Sequence, residues 1–269
     1  MAVRPGLRQL ITPRGPWVQC IDAIRFEWNA YEVAIHQLPA TLNGFRILHL
    51  TDVHARTNWQ RAYDELIDRV RADVPDLILF TGDLVDKKYN PAPALPIARK
   101  LLNGLKARLG IFGIRGNHDL QIWQTSLIGT PMRMIDGQRI LLSSNGAHLE
   151  LLAVPGPERS NLTAEFIESI PAKALGVPRI MMSHFPDHIR RLGSLHPDIY
   201  LAGHTHGGQA CLPGGWPMLR HDSLPSEMSK GVHRLAHSWF VVSRGFGFSS
   251  IPLRIFCPAE VVEIRLTEG

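Results

Sequence analysis

Five short polar clusters, each directly after an apolar run, hold the side chains of this sequence that could do chemistry. They are Asp52-Val53-His54, Gly82-Asp83-Leu84-Val85-Asp86, Gly116-Asn117-His118-Asp119, Ser183-His184 and Gly203-His204-Thr205-His206. Carboxylates, imidazoles and one amide oxygen suit hard or borderline divalent metals, and there are more of them than one ion can use. Histidine is also the side chain best placed to exchange a proton near neutral pH.

Each cluster has its own logic. Alternate residues of an extended segment share a side, so Asp52 and His54, or His204 and His206, can grip one cation together. Asp83 has two oxygens and can bridge two cations, which a neutral imidazole cannot do. Asp86 fits a role in orienting its loop better than direct ligation. Asn117 coordinates without adding negative charge, and His118 beside it suits proton donation. Asp119 either holds the other nitrogen of His118 or caps a following helix. Taken alone, His184 reads as a core histidine at a strand end.

The runs that precede the clusters must position them. Phe45–Leu50, Leu77–Phe80, Ile111–Ile114, Ile180–Met182 and Ile199–Ala202 are short, apolar and partly β-branched, as buried strands are. Ligands of α/β proteins gather beyond the carboxyl ends of strands, so five strand ends would aim their polar residues at one place. Arg25–Gln37 is strand-like. Asn58–Ala72 has helical spacing, with Asn58 as a possible cap. A second helix is expected over Pro96–Leu109, and a short one after Asp119. Ser144-Asn145-Gly146 marks a hairpin between strands over 140–142 and 148–154. Further short helices are expected at 164–170 and 187–192, and late strands at 239–243 and 261–266. Strand–helix alternation followed by hairpins predicts an α/β protein with two sheets and helices outside them.

The chain has 269 residues, 45% hydrophobic and 20% charged, and a formal net charge of +5. That charge fits an anionic substrate or an anionic membrane surface. No dense Lys/Arg run of the nucleic-acid-binding kind is present. No apolar stretch of about 18 residues predicts a membrane-spanning helix. Residues 1–24, with Arg4, Arg8, Arg14 and breakers at Pro5, Pro13, Gly15 and Pro16, read as a flexible N-terminal arm. Residues 25–269 read as a single domain, because the clusters would span any cut. Cys20, Cys211 and Cys257 form neither a disulfide framework nor a thiolate zinc site, and suit free thiols in a reducing cytoplasm.

The order Asp-x-His, Gly-Asp-x-x-Asp, Gly-Asn-His-Asp, His and Gly-His-x-His, over residues 45 to 210, resembles the calcineurin-like metallophosphoesterase superfamily. The extension Gly207-Gly208-Gln209, the motif Ser243-Arg244-Gly245-Phe246-Gly247 and the run Pro252–Pro258 are similar to a bacterial branch. That branch includes phosphodiesterase-like proteins and enzymes thought to cleave UDP-diacylglucosamine. The resemblance implies a four-layer αββα sandwich. It implies that Asp52, His54 and His206 hold one metal, that Asn117, His184 and His204 hold a second, and that Asp83 bridges them. His118 would be catalytic and not a ligand. A hydroxide bridging two cations about 3.5–4 Å apart would attack phosphorus in line, and His118 would protonate or stabilise the leaving oxygen. Mn²⁺ is the expected metal, with Fe²⁺ and Zn²⁺ as alternatives. Only Tyr63, Tyr89 and Tyr200 lie near the motifs, which disfavours the purple acid phosphatase variant.

The resemblance also favours Arg244 as a fork onto substrate phosphate over an ordinary loop cation. The segment from Ala210 to Lys230 either folds onto the core or lines the site mouth through Trp216 and Leu219. The expected activity is hydrolysis of a phosphodiester or pyrophosphate bond in an anionic substrate. A UDP-sugar lipid and peripheral contact with the inner membrane face extend that reading of a cytoplasmic enzyme. The alternatives are a phosphomonoesterase, a nuclease, or a metal-binding scaffold without catalysis. The remaining histidines, His49 and His188 among them, match no ligand position.

Overall fold

The computed structural model describes residues 7–9, 18–20, 25–87, 89–122, 124–213, 215–218 and 222–269. In chain order the strands and helices are β1 (Leu7–Gln9), β2 (Val18–Cys20), β3 (Glu27–Ile35), β4 (Arg46–Leu50), α1 (Arg61–Ala72), β5 (Leu77–Phe80), α2 (Leu95–Gly104), β6 (Ile111–Gly113) and β7 (Met132–Met134). There follow β8 (Arg139–Ser144), β9 (Ala147–Ala153), α3 (Ala164–Ser169), β10 (Arg179–Met182), β11 (Ile199–Ala202), β12 (Gly231–Leu235), β13 (Ser238–Val242), β14 (Leu253–Ile255) and β15 (Glu260–Glu268).

Among the described residues the strands make two mixed sheets and a ribbon. The first sheet runs β1-β3-β15-β4-β5-β6-β7, the second β12-β13-β11-β10-β9-β8, and β14 pairs with β2. In the first, β4, β5, β6 and β7 are parallel. In the second, β9, β10, β11 and β13 are parallel. The sheets face each other across a dry core that includes Ile47, Leu79, Ile180, Leu201, Val241 and Ile264. Outside the first sheet, α1 and α2 bury Leu66, Val70, Leu101 and Leu102. Outside the second, α3 and a 3₁₀ turn at Pro186–Arg191 cover Met181, Tyr200 and Phe240. These are the four αββα layers. The four-residue strands β5, β10 and β11 are buried on both faces, which is why β5, β11 and the part of β10 after Arg179 read as unbroken apolar runs.

Several local expectations differ from the structure. Helix α1 starts three residues after Asn58, with Gln60 at its N-cap and no side-chain cap bond. Helix α2 stops at Gly104, because Leu105 turns extended to bury its side chain. The turn after Asp119 is a 3₁₀ turn at Gln124–Leu127. The hairpin formed as expected: Asn145 and Gly146, with φ of 49° and 79°, join β8 to β9. Two pieces of the expected N-terminal arm are strands. Leu7–Gln9 pairs with the edge of β3, and Val18–Cys20 pairs with Leu253–Ile255. Arg4, Arg14 and the four breakers lie outside the described residues. No helix among the described residues is long and apolar enough to cross a membrane.

Candidate metal centre

The clusters follow β4, β5, β6, β10 and β11, and the two sheets deliver them to one site. Parallel strands within a sheet end at the same side, so β4, β5 and β6 supply Asp52, Asp83 and Asn117 together. β10 and β11 bring His184 and His204 from the facing sheet. The backbone there is strained. Asp52, His54, Asp83, His204 and His206 all have positive φ, between 44° and 69°. Such conformations cost on the order of 1 kcal/mol each in a non-glycine residue and persist where the surrounding structure over-determines them. Gly82 adds φ of 101° and lets the second and third clusters touch: a Cβ there would lie 2.5 Å from the Gly116 nitrogen.

The polar atoms fall into two groups joined by one carboxylate. On one side, His206 Nε2 lies 3.2 Å from Asp52 Oδ1 and 3.0 Å from His54 Nε2. On the other, His184 Nε2 lies 3.0 Å from Asn117 Oδ1 and 3.2 Å from His204 Nδ1. Asp83 Oδ2 stands between them, 3.5 Å from His54 Nε2 and 3.4 Å from His184 Nε2. All seven residues that the resemblance nominates as ligands are therefore in this cluster.

The donor set fits two divalent cations. His184 Nδ1 donates to the Thr81 carbonyl at 2.8 Å, so the lone pair of a neutral ring points from Nε2 into the cluster. Imidazole nitrogens facing each other at 3.0 and 3.2 Å repel unless a proton or a cation lies between them. The crowding shows as displaced titrations. Burial opposes charge on Asp52, yet His206, His184 and His54 hold its carboxyl well below the usual range. Burial likewise works against Asp83, but His184 and His54 draw it far down. His184 is pushed up to about 9, with burial opposing and Asp83 prevailing. Burial, with His184 beside it, takes His204 down to about 3. Burial takes His206 down to about 4. His204 and His206, one in each group, thus keep a lone pair available to a metal.

His118 borders the cluster without joining it. Its backbone N–H donates to Asp83 Oδ1 at 2.7 Å, and its Nδ1 donates to the Asp86 carbonyl at 2.5 Å. Its ring meets His54 edge-on, with centroids 4.7 Å apart. Asp86 orients its surroundings: its carboxylate lies 3.5 Å from His54 Nδ1 and 3.2 Å from Arg56 Nε.

Two nominated residues behave differently from expectation. Asp119 neither holds the His118 ring nor caps a helix. Its buried carboxylate accepts backbone N–H groups of Leu84, Val85 and Gly116, tying the second cluster to the third. Burial and the nearby Asp83 push it up to about 7. The Arg244 guanidinium is committed elsewhere, 2.5 Å from Glu27 and 2.7 Å from Glu260. Its strand exit instead supplies backbone. Phe246 N–H donates to Thr51 and Gly247 N–H to Asp52, and Gly245 (φ 74°) packs where a Cβ would sit 2.6 Å from Asp52 Cβ.

Two arginines at the centre went unassigned in the sequence reading. Arg159 Nη2 lies 3.2 Å from His204 Nε2, and its guanidinium stacks over Phe185 and pairs with Asp187 at 3.2 Å. It opens a short 3₁₀ turn, Arg159–Asn161, without motif character. Arg254 is buried, with Nη2 at 3.2 Å from His206 Nδ1 and hydrogen bonds to the carbonyls of Gly245 and Gly247. It falls within the run Pro252–Pro258, which was the available signal. The cysteines are free and hold no place among the ligands: Cys20 is exposed, while Cys211 and Cys257 are buried. The turn after the last cluster exposes Leu212, Trp216 and Met218, whereas Leu224 folds onto the outer core. Leu219 lies outside the described residues.

Comparison with known proteins adds a family to this geometry. The Metallophos family model, described as calcineurin-like phosphoesterase, matches residues 45–208. A bovine (Bos taurus) transmembrane protein with metallophosphoesterase domain is 28% identical over 99% of this chain and 63% of its own length. An uncharacterized metallophosphoesterase of Helicobacter pylori is 27% identical over 82% of this chain and 59% of its own. The chain thus spans about three fifths of the length of these relatives. Among solved structures, TT1561 of Thermus thermophilus aligns with a TM-score of 0.41 and 16% identity, over 73% of this chain and 88% of that one.

Proposed function

Because the chain belongs to the calcineurin-like phosphoesterase family, we propose that it hydrolyses a phosphodiester or pyrophosphate bond with two divalent cations. The observation that carries this reading is Asp83 Oδ2, set 3.5 and 3.4 Å from one imidazole of each ligand group. When bound, the cations would draw charge from the phosphoryl oxygens and acidify a water, as in other two-metal sites. Asp52, His54 and His206 would hold one, and Asn117, His184 and His204 the other. Mn²⁺ suits their oxygen and imidazole donors, and Fe²⁺ and Zn²⁺ are the competitors. His118 would give its Nε2 proton to the leaving oxygen, because its Nδ1 is spent on the Asp86 carbonyl. Asp119 would keep the two clusters in register and take no part in proton transfer.

The test is turnover by Mn²⁺-, Fe²⁺- or Zn²⁺-loaded protein on a monoester, an aryl diester, a cyclic nucleotide and a UDP-sugar lipid. Asp83→Asn is expected to lose nearly all activity together with bound metal, read by elemental analysis. A loaded protein inert on every ester would leave the scaffold reading in its place. The lipid-linked form of the hypothesis rests on exposed Leu212, Trp216 and Met218, on the turn just beyond His206. It expects Trp216→Ala to raise KM for the lipid substrate alone, and equal weakening on a small diester would count against it.

A further inference from the structure

One cation stands at the rim of the centre with no motif to account for it. Arg159 presents Nη2 to His204 Nε2 at 3.2 Å, and its side chain is 41% exposed, whereas Asp83 and His184 behind it are buried. We propose that Arg159 binds a non-bridging oxygen of the substrate phosphoryl group, on the His204 side of the centre. The inference rests on the phosphoesterase reading above and adds a substrate-contacting residue to it.

Placement is the first argument. His118 packs its ring on His54, in one ligand group, and Arg159 reaches His204, in the other. Asp83 stands between the groups, so a phosphoryl group held at the centre would have His118 on one flank and a guanidinium on the other. Preorganisation is the second. The turn that follows His184 holds this arginine at three points. The guanidinium stacks over the Phe185 ring at 4.9 Å, Nη1 pairs with Asp187 at 3.2 Å, and buried His188 donates from Nε2 to the Arg159 carbonyl at 2.8 Å. His188 is fixed in turn by Ser183 Oγ, 2.9 Å from its Nδ1. An arginine that only balanced surface charge would need none of this, whereas a fork aimed at an oxyanion gains from having its conformation set beforehand. Hydrogen-bond polarity is the third. A guanidinium can only donate, so His204 accepts at Nε2, and its neutral ring carries the proton on Nδ1, toward His184 Nε2 at 3.2 Å. If His204 Nδ1 gives its lone pair to a cation instead, the proton sits on Nε2 and two donors face each other. Arg159 Nη2 then exchanges His204 for another acceptor, and a phosphoryl oxygen arriving beside His204 supplies one.

The experiment measures binding of inorganic phosphate to the Mn²⁺-loaded protein by calorimetry, with Mn²⁺ content determined on the same samples, in wild type, Arg159→Gln, Arg159→Lys and Asp187→Asn. Turnover of bis(p-nitrophenyl) phosphate is followed beside it. Arg159→Gln is expected to weaken phosphate binding about tenfold, to lower kcat/KM for the diester by at least as much, and to leave Mn²⁺ content unchanged. Arg159→Lys keeps the charge without the fork and should recover part of the loss. Asp187→Asn removes only the anchor on Nη1 and should lose less than Arg159→Gln. Unchanged phosphate binding in Arg159→Gln overturns the inference. So does a loss of Mn²⁺ large enough to account for the weaker binding, because Arg159 would then serve only to prop His204. If wild type cleaves the diester while Arg159→Gln binds phosphate as wild type does, the contact is wrong and the phosphoesterase reading stands. If wild type cleaves no ester yet binds phosphate through Arg159, the oxyanion contact stands and the phosphoesterase reading falls.

Discussion

Replacing His118 by alanine should separate the proton donation proposed for it from metal binding, because the backbone N–H and the ring of this residue make different contacts. The hydrogen bond that helps hold Asp83 comes from the His118 backbone N–H, at 2.7 Å, and survives the substitution. The ring contributes its bond to the Asp86 carbonyl and an edge contact on His54. Loss of one such hydrogen bond costs about 1 kcal/mol, against a domain stability of about 5–15 kcal/mol, so His118→Ala should fold and keep its metals. A positioned general acid contributes about 10²–10⁴-fold, or roughly 2.7–5.5 kcal/mol of barrier. That contribution is needed most when the leaving oxygen is basic. The assay is kcat across aryl diesters of graded leaving-group acidity, with metal content measured on the same samples. The expected loss is about 10²–10⁴-fold for the most basic leaving group and shrinks steadily as the leaving group becomes more acidic. A uniform loss across the series, or a loss of metal, would refute the assignment of His118 as proton donor.

Two further outcomes concern groups behind the centre. Arg244→Gln leaves buried Glu260 without its main cation, and breaking such a pair costs about 3–5 kcal/mol. A lowered melting temperature with unchanged kcat/KM per folded molecule is expected, whereas a raised KM at unchanged melting temperature would return Arg244 to the substrate. His49 lies in β4 with Nε2 against Thr81 Oγ1 at 2.8 Å, and burial takes its pKa down to about 4, opposed by Glu260 and Asp52. Between pH 6.5 and 4 the unfolded imidazole binds a proton that the folded one refuses. Stability is therefore constant above that window on this account and falls as pH drops through it, by on the order of 3 kcal/mol. His49→Gln should flatten that part of a denaturation-versus-pH curve relative to wild type, and an identical slope would show that His49 does not control it.

What could and could not be read from the sequence follows from the range of each interaction. The strands were legible because β5, β10 and β11 are buried on both faces, so their composition alone marks them. Convergence of the clusters was legible because a strand's carboxyl end is a place as well as a sequence position. Helix ends were less so. Asn58 is a good cap by residue type, but α1 begins where Ala62 and Tyr63 can reach the core. The roles of Asp119, Arg244 and Arg159 were not legible, because each depends on partners far along the chain. Asp119 is claimed by Leu84 and Val85, 35 and 34 residues earlier. Arg244 is claimed by Glu27, 217 residues earlier, and Arg159 is turned toward His204 by Phe185 and Asp187. The residues proposed as ligands escape this difficulty for a physical reason. A metal demands particular donor atoms, so its residues announce themselves by type, whereas a residue that positions a ligand needs only a hydrogen-bonding group in the right place. Asp119 shows the distinction within one motif. It lies two residues from Asn117, yet its oxygens go to three backbone N–H groups and none of the cluster's imidazoles.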